Sequence, residues 1–400
     1  MHKSTTPLTP AQVYRCALDF CQPHLDLRGQ GKVTAAVLLT VAFAAAARSS
    51  SIHETCGRLR NAPCEQTFAK ALYVNLKTLA PTVRKVNAAF RAHLPRALRR
   101  RRKRPLRVAV DLTLIPYYGK HSLDNNEIYR GEKKDGTRSF FAYATAFVLL
   151  HGQRFTLAVV PVTRADRLKD VLQELLHLGG LAGLRPGLLL LDRGFYKSEI
   201  IRYLQQARRP FLMPVICHGR GANHPKGPSG SKVFKLMKKS GWFTHTVGDP
   251  KKKGRVTATV SICVKRARVT DRHGRKKWHT WVYAFWGLNP GTVDWVKRTY
   301  RKRFGIETSY RQMNECRIRT TTRKFNVRFF YVAIGLLLRN LWVWLHHVVL
   351  STPRRGCRRY NWDRLRVKRM LLWLEQVAVE LYGLVLTVTT EREVPQSVVT

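Results

Sequence analysis

Acidic residues are scarce in this chain, so the places where they fall are informative. Its 400 residues hold 24 Asp+Glu against 73 Lys+Arg. Asp111 lies inside an apolar, strand-like run, VAVDLTLI. A carboxylate there must be solvated at a strand end, paired, or bound to a cation. Asp192 ends a second such run, LLLLD. In a mixed sheet the two strands can be neighbours, with both carboxylates at the edge where such sheets bind ligands. Taken alone, either Asp is more simply read as the cap of the next turn. Together, in so basic a chain, they favour a metal-binding reading, and hard cations such as magnesium want oxygen ligands.

Glu307 supplies a third carboxylate, in the basic segment WVKRTYRKRFGIETSYRQMNE. On a helix, Tyr300, Arg303, Glu307, Arg311 and Asn314 fall within an arc of about 80°. Trp295, Ile306 and Met313 cluster on another face, which is expected to pack on the sheet. On helix pattern alone, the simpler reading is an exposed helix on which Arg303 and Arg311 pair with Glu307. The chemistry gives the three carboxylates a common purpose. Phosphodiester transfer needs a nucleophilic water or 3′ hydroxyl, charge stabilisation at phosphorus and a stabilised leaving oxygen. Two divalent ions about 3.5–4 Å apart supply all three, while Arg and Tyr fix the non-scissile phosphates. No Ser–His–Asp arrangement or redox cofactor motif competes.

The elements that must position these residues can be read from the pattern. Residues 1–98 are expected to form a helical domain, broken at Pro23, Gly29, Gly31, Pro63 and Pro81. Residues 99–105 form a basic linker, RRRRKR before Pro105, that suits either a solvated hinge or a grip on phosphates. Strand-like runs then begin at Leu106. Phe140–Leu150 and Phe155–Val162 suit a hairpin, Asp166–His177 has helical periodicity, and Gly187–Leu191 is a strand. A helix over Lys197–Ala207 and a strand over Pro210–Cys217 follow. Three strands, then alternating helix and strand, predict an α/β fold with a mixed, ribonuclease-H-like sheet. Residues 106–217 would be its first part and 291–350 the remainder. Residues 218–290 read as a β-rich insertion, and 351–400 as a C-terminal helical segment and tail.

The formal charge of +49 predicts a polyanionic partner, most simply nucleic acid. Eight cysteines occur without a CxxC pair, which fits reduced, mostly buried thiols. The N-terminus lacks the apolar core of a signal peptide. Phe329–Leu350 is long enough to cross a bilayer, but Arg339 and Asn340 sit at its middle, so a buried core helix is expected and no membrane partner.

With these residues in view, the chain resembles the insertion-sequence transposases of the DDE superfamily, in the group marked by Y-x2-R-x3-E-x6-K. The matching pieces are the VAVDLT strand with Asp111, LLLLDRGFY with Asp192, and Tyr300-x2-Arg303-x3-Glu307; Asn314 stands where the signature has Lys. The resemblance covers roughly residues 106 to 350. It implies cut-and-paste transposition catalysed by Asp111, Asp192 and Glu307, which would also hold two Mg2+ ions, or Mn2+. It implies that the helical domain of residues 1–98 binds DNA, that Tyr300, Arg303, Arg311, Asn314 and Arg193 contact DNA phosphates, and that Trp278, Trp281 or Trp286 in the insertion stacks on a base. The implied partners are double-stranded DNA, as the element's terminal inverted repeats and as target, and a second copy in a synaptic homodimer. The implied setting is the cytoplasm of a prokaryote, at the nucleoid. A ribonuclease-H-like nuclease or resolvase without strand transfer, and a catalytically decayed DNA-binding protein, are the alternatives.

Overall fold

The computed structural model describes residues 7–95, 106–119, 126–150, 153–180, 186–248, 256–271, 273–354 and 357–387; for residues 150, 186, 304–314 and 357 it describes the backbone alone. The basic linker and the C-terminal tail expected from the sequence lie outside these residues. The chain divides into two compact units. One comprises residues 1–79, 314–338 and 362–400, the other residues 80–313 and 339–361.

The first unit is helical. It contains α1 (Pro10–Leu25), α2 (Ala35–Arg48), α3 (Ile52–Arg58) and α4 (Glu65–Asn75). Helix α1 opens on a capping box, in which Thr9 and Gln12 satisfy each other's backbone N–H. Thr34 and Ser51 cap α2 and α3 by the same physics. The expected breaks at Gly29, Gly31 and Pro63 fall between helices, whereas Pro23 lies within the last turn of α1. There the strain on the preceding turn is confined to the helix end. A C-terminal helix, Val367–Tyr382, packs on α1 and α2. Its Glu375 carboxylate accepts from both Arg48 and Arg58, and Ala44, Leu59 and Ala378 form a small core.

The second unit holds the sheet. Its strands are β1 (Leu106–Pro116), β2 (Tyr129–Lys134), β3 (Thr137–Leu150), β4 (Gln153–Val162), β5 (Pro186–Leu191), β6 (Phe211–Pro214), β7 (Gly241–Val247), β8 (Ala258–Thr270) and β9 (Lys276–Trp286). The order is β2-β3-β1-β5-β6-β9-β8-β7, with β4 also paired to β3. Strands β1 and β3 are antiparallel, while β1, β5 and β6 are parallel. The architecture is therefore mixed α/β, as the pattern predicts. The β-rich segment is not a separate sheet: β9 pairs with β6, so β7–β9 extend the main sheet. β2 was not expected, and β6 is shorter than the predicted Pro210–Cys217.

Helix α5 (Leu79–Ala92) joins this unit from Ala80 onward rather than the helical one. The reason is Asn87, fully buried, which donates to Val159 O at 2.8 Å and accepts from Val159 N at 2.9 Å. Pro81 sits in the first turn of α5, where its missing N–H costs nothing. The helices α6 (Leu168–Gly180), α7 (Ser198–Gln206), α8 (Val233–Leu236) and α9 (Val293–Glu315) follow in order. Helix α10 (Phe325–Val348) is long and apolar enough to cross a membrane, and 94% of its most apolar window is buried inside the protein. Its two central polar residues explain themselves. Asn340 accepts from Thr156 N at 2.8 Å and donates to Thr156 O at 2.9 Å, replacing the ladder that β4 lacks there. Arg339 donates to the Gln153 side chain at 3.0 Å.

Candidate active site

Strand alternation puts Ala109 and Asp111 on one face of β1. Ala109 belongs to a buried cluster with Leu188, Leu190 and Leu212 from β5 and β6, and with Val296 and Tyr300 from α9. Asp111 therefore faces the same helix. The parallel register pairs Val110 with Leu191, so Asp111 and Asp192 are the next residues along neighbouring strands. Asp192 follows the last residue of β5 and opens a single 3-10 turn, Arg193–Phe195.

The helix meets this pair through Tyr300 and Arg303; of the face expected to pack on the sheet, Trp295 packs against the same cluster, and the side chains of Ile306 and Met313 lie outside the described residues. Val296, Tyr300 and Arg303 are buried, while Trp295 is only partly so. Tyr300 explains the choice. Its ring fills the cluster at 1% exposure, and its hydroxyl donates to Leu191 O at 3.2 Å. Burying a ring and a valine of this kind contributes roughly 1.5–3 kcal/mol each. One turn on, the Arg303 guanidinium bridges the two aspartates. Its Nη2 lies 2.9 Å from Asp111 Oδ1 and 3.2 Å from Asp192 Oδ1, and Nη1 donates to Tyr300 Oη at 3.3 Å. Arg303 is thus buried rather than displayed on an exposed, salt-bridged helix face.

The environments of the two carboxylates differ. The Asp111 side chain is 18% exposed and that of Asp192 46%. Burial pushes the Asp111 carboxyl up to about 6, against the pull of Arg303 and with a further push from Asp192. Its Oδ1 also accepts from Leu112 N at 2.9 Å. Burial likewise raises the Tyr300 phenol, so it stays protonated and donates. Glu307 lies on α9, one turn beyond Arg303. Its side chain, and those of Arg311 and Asn314, lie outside the described residues. Among the described residues no three His, Cys, Asp or Glu side chains converge.

Arg193 is exposed and borders a cavity of about 710 Å³ beside Tyr300. The cavity also takes in Lys235, Lys297, Arg301 and Trp281. Lys297 Nζ stands 3.5 Å from the Trp281 ring centroid, and the His279 ring centroid lies 4.3 Å from it with the planes tilted by 53°. Trp281 borders this cavity, whereas Trp286 sits half-buried in the sheet opposite Phe211. Trp278 is 55% exposed on the far stretch of β9, with the guanidinium carbons of Arg266 and Arg268 at 4.7 and 5.3 Å from its ring centroid. Lys235, Lys297, Arg266, Arg268 and Arg301 were not singled out from sequence. The period-2 placing of Arg266 and Arg268 on β8 was the available signal.

Residues 102–341 match a family described as "Transposase DDE domain". A chain from a cryo-EM structure of a piggyBac transposase synaptic complex with hairpin DNA is similar at 10% sequence identity and a TM-score of 0.48, over 94% of this chain and 81% of that one. No curated protein matches the chain.

Proposed function

The chain belongs to the family of transposase DDE domains, and from that premise we propose that it is a cut-and-paste DNA transposase working through Asp111, Asp192 and Glu307. One observation carries the reading. Asp111 and Asp192, on neighbouring strands, share a single cationic group, Arg303, from the helix that bears Glu307. A positive charge already sits between the two carboxylates, and the all-oxygen donor set suits a hard ion such as Mg2+, or Mn2+. Asp111, Asp192 and Glu307 are the residues that would hold two such ions. Ions held there would neutralise charge at phosphorus and lower the pKa of the attacking water or hydroxyl.

The chain's own side chains do the rest. Tyr300 anchors α9 to the end of β5 and holds Arg303 in place. With the carboxylates otherwise engaged, Arg303 becomes available to a non-scissile phosphate, as a bidentate donor. Arg193, Arg311 and Asn314 are assigned to the same strand, Asn314 as a hydrogen-bond donor in the place of the signature's Lys. In the first step water attacks phosphorus at the element end. A new P–O bond forms, the old bond to the 3′ oxygen breaks, and that oxygen takes up a proton. In the second, the freed 3′ hydroxyl attacks a target phosphate and displaces the target's 3′ oxygen.

The finer assignments follow the same reading. The strand order, three antiparallel strands beside two parallel ones, supports a ribonuclease-H-like core. The charge of +49 supports duplex DNA, both element ends and target, as the partner. We assign the Y-x2-R-x3-E signature to Tyr300, Arg303 and Glu307, base stacking to Trp281 of the cavity, and the working state to a homodimer in a prokaryotic cytoplasm. The test uses DNA with a pre-cut element end, Mg2+ and a target. Joined product is expected from the parent chain. Asp111→Ala, Asp192→Ala and Glu307→Ala should each bind ends but yield no product. A variant that still joins refutes the triad, and a parent chain that cuts an intact element end but joins no pre-cut one leaves a nuclease.

A further inference from the structure

β8 and β9 leave the sheet as a two-stranded arm. β7 accompanies β8 only as far as Val264, while the pairs from Lys265↔Trp281 to Thr270↔Lys276 have no third strand beside them among the described residues. Five steps of extended strand make the arm about 17 Å long. Its tip is closed by Asp271, whose Oδ1 accepts from His273 N and Arg275 N, both at 3.0 Å. Gly274 takes the positive φ of 78° that this turn needs. From Arg268 to His279 every described residue except Asp271 is exposed. The arm therefore stands in solvent on both faces with a fixed backbone.

Its charge has one sign and two sides. Residues 265–281 hold seven Lys or Arg against a single acid, Asp271, which Lys277 Nζ meets at 3.3 Å. Opposed residues of an antiparallel pair share a face. One face carries Arg266, Arg268 and Lys276 around Trp278, which is 55% exposed. The other carries Lys277 and His279 beside Val269. A surface that rests along one DNA backbone needs cations on one face alone. Cations exposed on both faces suit phosphates on both sides, and two backbones flank a segment of protein only inside a groove. The major groove, about 12 Å wide, admits a two-stranded ribbon, whereas the minor groove is only about 6 Å wide.

We propose that this arm enters the major groove of duplex DNA turn first. Phosphates of one strand lie against Arg268 and Lys276, and those of the other against Lys277. The proposal rests on the transposase reading only for the presence of duplex DNA.

The experiment uses the full chain in excess chelator, where no strand is cut, and follows its affinity for a duplex of mixed sequence by anisotropy. Arg268→Ala and Lys277→Ala change opposite faces at exposed positions, so both variants should melt like the parent. Each should lower the slope of log affinity against log salt by about one. The groove is then read with the same duplex in which every cytosine carries a glucosylated hydroxymethyl group at C5, which fills the major groove. Blocking should weaken the parent about tenfold and the Arg268→Ala, Lys277→Ala double variant less than about twofold. Netropsin, which fills the minor groove, should leave the gap between parent and double variant unchanged. The proposal is overturned if either single variant keeps the parent's slope, since the DNA then meets at most one face. It is overturned equally if blocking weakens parent and double variant alike, or if netropsin closes the gap and so puts the arm in the minor groove. Because nothing is cleaved, a chain that never joins DNA can still pass this test, and one that joins DNA can fail it.

Discussion

The guanidinium of Arg303 lies 2.9 Å from the carboxylate of Asp111, on a helix that reaches the strand from nearly two hundred residues away in sequence. The pair is mostly desolvated, with Arg303 7% exposed. Removing one partner of such a pair leaves the other charge buried, a loss of about 3–5 kcal/mol in full burial. Asp192 is half solvated, so Arg303→Ala should cost less, roughly 2–3 kcal/mol by urea unfolding. Strand joining should vanish. Arg303→Lys restores the charge but not the planar guanidinium, whose Nη2 meets both carboxylates while Nη1 reaches Tyr300 Oη. It should recover most of the stability and only a small part of the activity. Full activity in the lysine variant would mean that bridging geometry is irrelevant.

The raised Asp111 carboxyl makes stability depend on pH in a definite direction. In the folded chain it titrates at about 6, in the unfolded chain at the ordinary 3.8. Between these values the folded state holds a proton that the unfolded state has released. This group's contribution is therefore fully present below about pH 4 and is lost as pH rises through 6. The difference corresponds to roughly 3 kcal/mol. Unfolding curves of the metal-free chain and of Asp111→Asn, compared from pH 4.5 to 7.5, isolate it from all other carboxylates. The gap should move in favour of the Asn variant as pH rises. A gap that is flat with pH would show that Asp111 titrates normally.

Some of this was legible in the sequence and some was not. Asp111 and Asp192 stood out because a charge inside an apolar strand demands a partner, and Tyr300 and Arg303 because they fall on one helix arc with Glu307. Which arc faces the sheet was not legible. Trp295 is the more apolar-looking anchor and packs against the cluster only partly buried, while Tyr300 goes deeper, its ring filling the core and its hydroxyl donating to Leu191 O. Period-2 alternation marks the faces of β8 and β9 but does not say which strand lies beside them, so β9's pairing with β6 was missed. The same non-locality hid α5. Asn87 looks like any helical Asn until Val159 is placed opposite it.

Asn340 tests how the last turns of α10, residues 339–348, are fixed on β4. Its side-chain amide makes paired hydrogen bonds to the backbone of Thr156, and the residue is fully buried. Asn340→Ala leaves a backbone N–H and C=O without partners, each costing about 1–3 kcal/mol. A loss of roughly 2–4 kcal/mol in unfolding free energy is expected. Asn340→Asp keeps the acceptor but buries a charge, and should be no better than the alanine variant. If alanine is tolerated within about 0.5 kcal/mol, the pairing is not what holds the helix on β4.

The last prediction concerns the stretch of β8 and β9 that runs past the end of β7. β7 pairs with β8 only as far as Val264, while β8 and β9 continue together from Lys265↔Trp281 to Thr270↔Lys276. One face of this two-stranded ribbon carries Arg266, Arg268 and Trp278, with both guanidiniums against the indole. Stacking holds them in place, so less side-chain freedom is lost when they meet phosphate. Each Arg→Ala change should lower the slope of log affinity against log salt for duplex DNA by about one. Trp278→Ala should change the slope little but weaken binding two- to fivefold by loosening both arginines, about 0.4–1 kcal/mol. Because Trp278 is half exposed, the fold should lose less than about 1 kcal/mol. Filter binding from 50 to 400 mM salt reads both quantities. An unchanged slope in the Arg266→Ala, Arg268→Ala double variant would place the DNA on some other face of the sheet.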